Sequence, residues 1–136
     1  MSSAAQPFRV GDCFVIVGKL AHLWIVLSDP EKDDERVLLV NVTTLEAYKD
    51  QTCKLTCGSH PFITHDSCVN FGAAKLVSLA TLINLEAQGK LRWHEPLSEK
   101  TYRYIFEMAI LSPETPYLGS ELLLAQRLAK PYRTVE

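Results

Sequence analysis

The chain has 136 residues, 47% of them hydrophobic and 22% charged, with a formal net charge of -2. That length suits one domain with a proper core, and the near balance of 14 basic and 16 acidic residues excludes a nucleic-acid binder working through bulk charge, while leaving room for a local basic groove. The longest apolar runs fall far short of the roughly 20 residues a spanning helix needs, and residues 1–7 carry neither the basic nor the apolar stretch of a secretory signal. With only 4 cysteines, the expectation is a reduced, cytoplasmic protein rather than a disulfide scaffold.

In chain order, residues 1–7 read as a disordered lead-in. A first strand is expected across Cys13, Phe14, Val15, Ile16 and Val17, which are rich in aromatic and β-branched side chains. After a short connection through Gly18 and Lys19, residues 22–27 form a second strand that is apolar on both faces and so belongs at the sheet's centre. The charged residues 28–36 make a hairpin tip. A third strand over residues 37–44 ends in the polar residues Asn41, Thr43 and Thr44, and residues 45–50 are long enough for one helical turn. A fourth strand is expected over residues 51–57, a fifth over 67–71 and a sixth over 74–77. Residues 78–89 then read as a short helix closed by Gly89, and residues 91–96 as a connector. Ser98 is an N-cap, and Tyr102, Ile105, Phe106, Ala109 and Ile110 follow it on one helical face. A last helix spans residues 120–130 before Pro131. Short strands followed by helices, without repeats or long linkers, predict an α+β domain with a small curled antiparallel sheet.

Chemistry-bearing residues are concentrated in residues 53–76, which hold three of the four cysteines and two of the four histidines. His60 precedes Pro61 and is therefore steered towards a turn or strand end. It can equally hydrogen-bond its own turn. His65 and Asp66 are neighbours, but successive residues of a strand point to opposite faces, so they do not form a dyad. A zinc set from Cys53, Cys57, His60, His65 and Cys68 fails on spacing, because strand residues four apart lie about 13 Å from each other. The cysteines read instead as small buried apolar residues.

Gly11-Asp-Cys-Phe, His22-Leu-Trp-Ile-Val-Leu-Ser-Asp and Val40-Asn-Val-Thr-Thr resemble, in order and spacing, the first three strands of the PemK/MazF family of toxin ribonucleases. Phe62-Ile-Thr-His-Asp-Ser-Cys-Val, Lys75-Leu-Val-Ser-Leu and the segment from Gly89 to the helix after Leu97-Ser-Glu continue the likeness, which covers roughly residues 9–112. The resemblance implies an SH3-like β-barrel with a C-terminal helix; residues 113–136, a longer tail than is usual in the family, form a helical extension beyond it. It also implies a homodimer that cleaves single-stranded RNA without a metal or other cofactor, held inactive by an antitoxin protein lying in the substrate groove. Where the family has an Arg-Pro pair before the second strand, this chain has His22 and Leu23. Thr43 keeps the family's hydroxyl at the end of the third strand, while Asn70 and Gly72 occupy positions where some members carry an Arg and an Asp.

Cleavage of RNA at its 2′-hydroxyl needs a base, an acid and donors for the phosphoryl oxygens. Imidazoles serve both proton roles, since an unperturbed histidine titrates at about 6.5. The candidate catalytic residues are therefore His22, Thr43, His60, His65 and Ser67. Lys19, Thr44, Lys54, Phe62 and Asn70 are the candidate RNA contacts, with Lys75 and Phe71 as further backbone and base contacts. Two other readings stand beside this one: a catalytically silent relative that binds a protein or peptide in the same groove, and a phage or mobile-element protein that uses the barrel for nucleic-acid or protein contact.

Overall fold

The computed structural model describes residues 8–18, 22–30 and 35–129. Within them the chain runs β1 (Cys13–Ile16), β2 (Leu23–Val26), β3 (Arg36–Thr44), β4 (Lys54–Leu55), β5 (Ser67–Ser78), α1 (Leu79–Ala87), β6 (Leu91–His94), α2 (Glu99–Leu111) and α3 (Tyr117–Ala129). The strands form one curled antiparallel sheet, a half-barrel, in the order β4-β5-β3-β2-β1-β6. The expected lead-in at residues 1–7 and Lys19 lie outside the described residues.

β3 organises the molecule because it is buried on both faces. Leu38, Val40 and Val42 point into the larger core with Leu23, Ile25, Val69 and Phe71, over which α2 lays Tyr102, Ile105, Phe106 and Ala109 and α3 lays Leu123. Val37 and Leu39 point the other way, into a smaller core with Phe8, Phe14, Val26 and Leu82 of α1. Each fully buried leucine or phenylalanine contributes about 1.5–3 kcal/mol. α1 reaches along only part of this second face. Beyond Leu39 the residues on that side are Asn41, buried, and Thr43, half-buried. The polar end of β3 is thus left without an apolar cover, and the clefts described below open there.

Three features of the sheet differ from the sequence-based expectation. The predicted fourth strand over residues 51–57 shrinks to Lys54–Leu55, because Gly58 (φ 94°) and the turn after it pull the chain away from β5. The predicted fifth and sixth strands are a single β5, bent at an irregularity: Leu39 stands opposite Lys75 but Asn41 opposite Asn70, so Val40 alone faces residues 71–74. Gly72 lies in this bend, where a Cβ would stand 3.1 Å from Glu114 Oε1. The predicted connector after Gly89 contains β6, which pairs with β1 through Cys13–His94, Phe14–Trp93, Val15–Arg92 and Ile16–Leu91. Trp93 packs against Phe8 and Phe14 and donates from Nε1 to Glu86 of α1 at 2.8 Å.

The helices follow their capping residues. Ser78 and Ser98 accept from the third residue of α1 and α2 through their hydroxyls. The single helical turn expected at residues 45–50 is an ordinary turn. α3 begins at Tyr117, earlier than the expected residue 120, and is fastened to the sheet. Gln126, buried, accepts from the Asp29 amide at 2.9 Å and donates to its carbonyl at 3.2 Å. Tyr102 donates to the Leu27 carbonyl at 2.7 Å. No helix among the described residues is long and apolar enough to cross a membrane.

Candidate functional site

Two clefts flank the C-terminal end of β3, and Thr43 lines both. Side-chain alternation explains the division: Val42 and Thr44 face one side of the sheet, Thr43 the other. Thr44 stands opposite Ser67, and Thr43 opposite Cys68, so each cleft takes its far wall from β5.

The first cleft, of about 150 Å³, is lined by His22, Val42, Thr43, Thr44, Phe62, Ile63, His65 and Ser67. His22 enters at the start of β2, which pairs Leu23 with Val42, and its Nδ1 lies 3.2 Å from the Val42 carbonyl. A carbonyl only accepts, so in the neutral ring Nδ1 carries the hydrogen and Nε2 keeps its lone pair. Across the cleft the Thr44 hydroxyl is 3.0 Å from His65 Nε2. Ser67 is buried and donates its hydroxyl to the His65 carbonyl at 2.9 Å, which fixes the backbone that carries the imidazole. Phe62 closes one side, edge-on to His94 with ring centroids 5.0 Å apart.

His60 sits apart from this lining. It is 3% exposed, accepts from the Phe62 amide on Nδ1 at 3.0 Å and donates from Nε2 to the Glu95 carbonyl. Both ring nitrogens are engaged, and the residue staples the turn that carries Phe62 and Ile63 to the segment before α2.

The second cleft, of about 270 Å³, is lined by Thr43, Tyr48, Lys49, Asp50, Cys68, Asn70 and Glu114. Lys49 is its central cation. The ammonium donates to Thr43 Oγ1 at 2.9 Å and to the Thr44 carbonyl at 3.0 Å, and pairs with Glu46 at 2.9 Å. The hydrogen bond to Glu46 raises the Lys49 pKa, keeping the charge in place beside the end of β3. Asp50 is fully engaged: it accepts from the Thr52 amide and hydroxyl at 2.9 and 2.6 Å and from the Ser112 hydroxyl. Burial raises its carboxyl, but these three donors outweigh burial and hold the pKa below the ordinary 3.8.

Of the sequence-derived candidates, His22, Thr43, Thr44, Phe62, His65 and Ser67 meet in the first cleft, and Asn70 lines the second beside Thr43. Lys54 is exposed on β4, opposite Cys68. Lys75 lies over the Trp24 ring, 5.9 Å from its centroid, and Phe71 is buried in the core. Sequence reading passed over Lys49, Asp50 and Glu114. The signal for Lys49 is its place five residues after the polar end of a strand, where a turn returns it to that strand's hydroxyls.

The four cysteines are unpaired, and Cys13, Cys53 and Cys68 are buried. Burial pushes the Cys13 and Cys53 thiols up to about 12, so neither is a nucleophile at neutral pH. Among the described residues no group of three or more His, Cys, Asp or Glu side chains is arranged to hold a metal ion. Comparison with protein-family models and with curated proteins gives no match to this chain.

Proposed function

We propose that the protein is a PemK/MazF-like endoribonuclease built on an SH3-like barrel, cleaving single-stranded RNA at the first cleft. The observation that carries this reading is the meeting of His22 and His65, 43 residues apart in the chain, with Thr43, Thr44 and Ser67 around one opening. His22, bonded through Nδ1 to the Val42 carbonyl, takes the 2′-hydroxyl proton on Nε2. His65, in its protonated form, supplies a proton to the leaving 5′-oxygen. The Thr44 hydroxyl, beside His65, donates to the phosphoryl oxygens as charge develops on them. The departing strand carries a 5′-hydroxyl and the other fragment a 2′,3′-cyclic phosphate, so atoms balance without water in the first step. The family likeness adds an antitoxin protein covering this cleft and a homodimer.

The test is digestion of a mixed-sequence single-stranded RNA by the purified chain, with product ends identified by mass spectrometry. Cyclic-phosphate ends are expected, and His22→Ala or His65→Ala should each slow cleavage by roughly 10²–10⁴-fold without unfolding the protein. Intact RNA after prolonged incubation with wild type would remove the nuclease reading in favour of a silent binding module in the same groove.

A further inference from the structure

We infer that the second cleft is a nucleobase subsite selective for guanine, with Glu114 as the residue that reads the base. The choice of a base as ligand rests on the nuclease reading above; the selectivity rests on the cleft itself. Four observations converge. The opening of about 270 Å³ is larger than the histidine cleft and shares Thr43 with it. Its two carboxylates differ: Asp50 is engaged by three donors, whereas Glu114 makes no side-chain hydrogen bond among the described residues. Glu114 Oε1 lies over Gly72, 3.1 Å from where a Cβ would stand, and Asn70 Oδ1 lies 3.7 Å from the same point. The missing side chain at Gly72 therefore leaves the room over this bend that the carboxylate and the carboxamide border. Asn41 stands directly across from Asn70, so both amides share this face of the sheet, and the buried Asn41 Oδ1 has no partner.

A free carboxylate repels a phosphate, so the group that enters here is a donor. Guanine alone among the bases presents two parallel donors, N1–H and N2–H, to the two oxygens of one carboxylate, and its O6 then accepts from the Asn70 carboxamide. Adenine and cytosine set a ring-nitrogen lone pair beside their single amino group, which faces the second carboxylate oxygen unfavourably. Uracil flanks its one N–H with carbonyls. Tyr48, 81% exposed, offers a ring at the rim for stacking. Lys49, bonded to Thr43 and Thr44, puts a positive charge at the end of β3 where the linking phosphate of a strand bound in both clefts would cross.

The experiment titrates the full-length chain with guanosine, adenosine, cytidine and uridine monophosphates, following the Asn70 side-chain amide and the Gly72 backbone amide by NMR. Guanosine monophosphate is expected to bind at least tenfold more tightly than the others, about the value of one bidentate base contact. Glu114→Gln should erase that preference, because its amide nitrogen meets a guanine donor with a donor. Gly72→Ala, which displaces Glu114, should weaken it too, and unchanged signals from β1 and β6 confirm the fold of each variant. Equal affinity for all four nucleotides, or a guanosine response unaltered in Glu114→Gln, overturns the assignment. So does binding of free arginine at the same or lower concentration, because a guanidinium carries the same donor pair and the cleft would then belong to a protein side chain. RNA cleavage without guanine preference sinks this inference and spares the nuclease reading; guanine binding without cleavage does the reverse.

Discussion

His60 was a catalytic candidate by composition, and its surroundings give it a different expected signature from His22 and His65. Replacing it with alanine removes two hydrogen bonds, from the Phe62 amide and to the Glu95 carbonyl, and empties a site that is 97% shielded. Two net hydrogen bonds are worth about 1 kcal/mol each, and loss of the ring's packing brings the total for His60→Ala to about 2–4 kcal/mol. In a chain this size each kcal/mol moves the midpoint by roughly 3 °C, so melting should fall by roughly 6–12 °C. His65→Ala removes one exposed contact to Thr44 and should stay within about 0.5 kcal/mol of wild type. Urea unfolding followed by the fluorescence of Trp24 and Trp93 measures both. A His60→Ala protein as stable as wild type, or a His65→Ala protein equally damaged, would refute the division of the two histidines into staple and cleft residue.

Further outcomes can be checked on the same material. Because the folded Asp50 carboxyl titrates below its ordinary 3.8, its stabilisation is complete above that pH and is lost as pH falls through the lower folded value. Asp50→Asn should therefore flatten the acid side of the stability profile between about pH 5 and pH 2, and a profile parallel to wild type in urea midpoints would count against it. Iodoacetamide at pH 8 should label Cys57 alone in the native protein and all four cysteines in urea, as counted by intact mass; the exposed thiol is free to react, while Cys13 and Cys53 remain protonated and buried. Leu123→Ala should cost about 2–5 kcal/mol, because the side chain is fully buried in the core shared by the sheet and α2. A loss under about 1 kcal/mol would mean that α3 is an appendage and not part of this core.

Much of the architecture followed from local chemistry. The apolar runs at residues 23–27 and 37–42 became the two central strands, Ser78 and Ser98 capped helices as serines do, and the stripe from Tyr102 to Ala109 became the buried face of α2. The polar end of β3 at Thr43 and Thr44, visible as a break in a hydrophobic run, marked where the sheet would meet solvent. What local pattern could not supply was pairing. Leu91–His94 is too short and too mixed to announce a strand, and becomes one only because β1 offers it an edge from nearly eighty positions earlier in the chain. The same holds for β5, whose bend opposite Val40 is defined only by its register against β3.

The residue types determined that imidazoles and hydroxyls would be available near one strand end, since those groups are carried in the covalent chain wherever it folds. Only the tertiary structure decided which of them share a solvent-filled space. It turned His60 inward, because a backbone amide and a carbonyl were placed to fill both its nitrogens, and it left His22 and His65 facing the same opening. It also brought Lys49 and Glu114 to the other side of Thr43, a meeting across distant positions that no stretch of sequence contains.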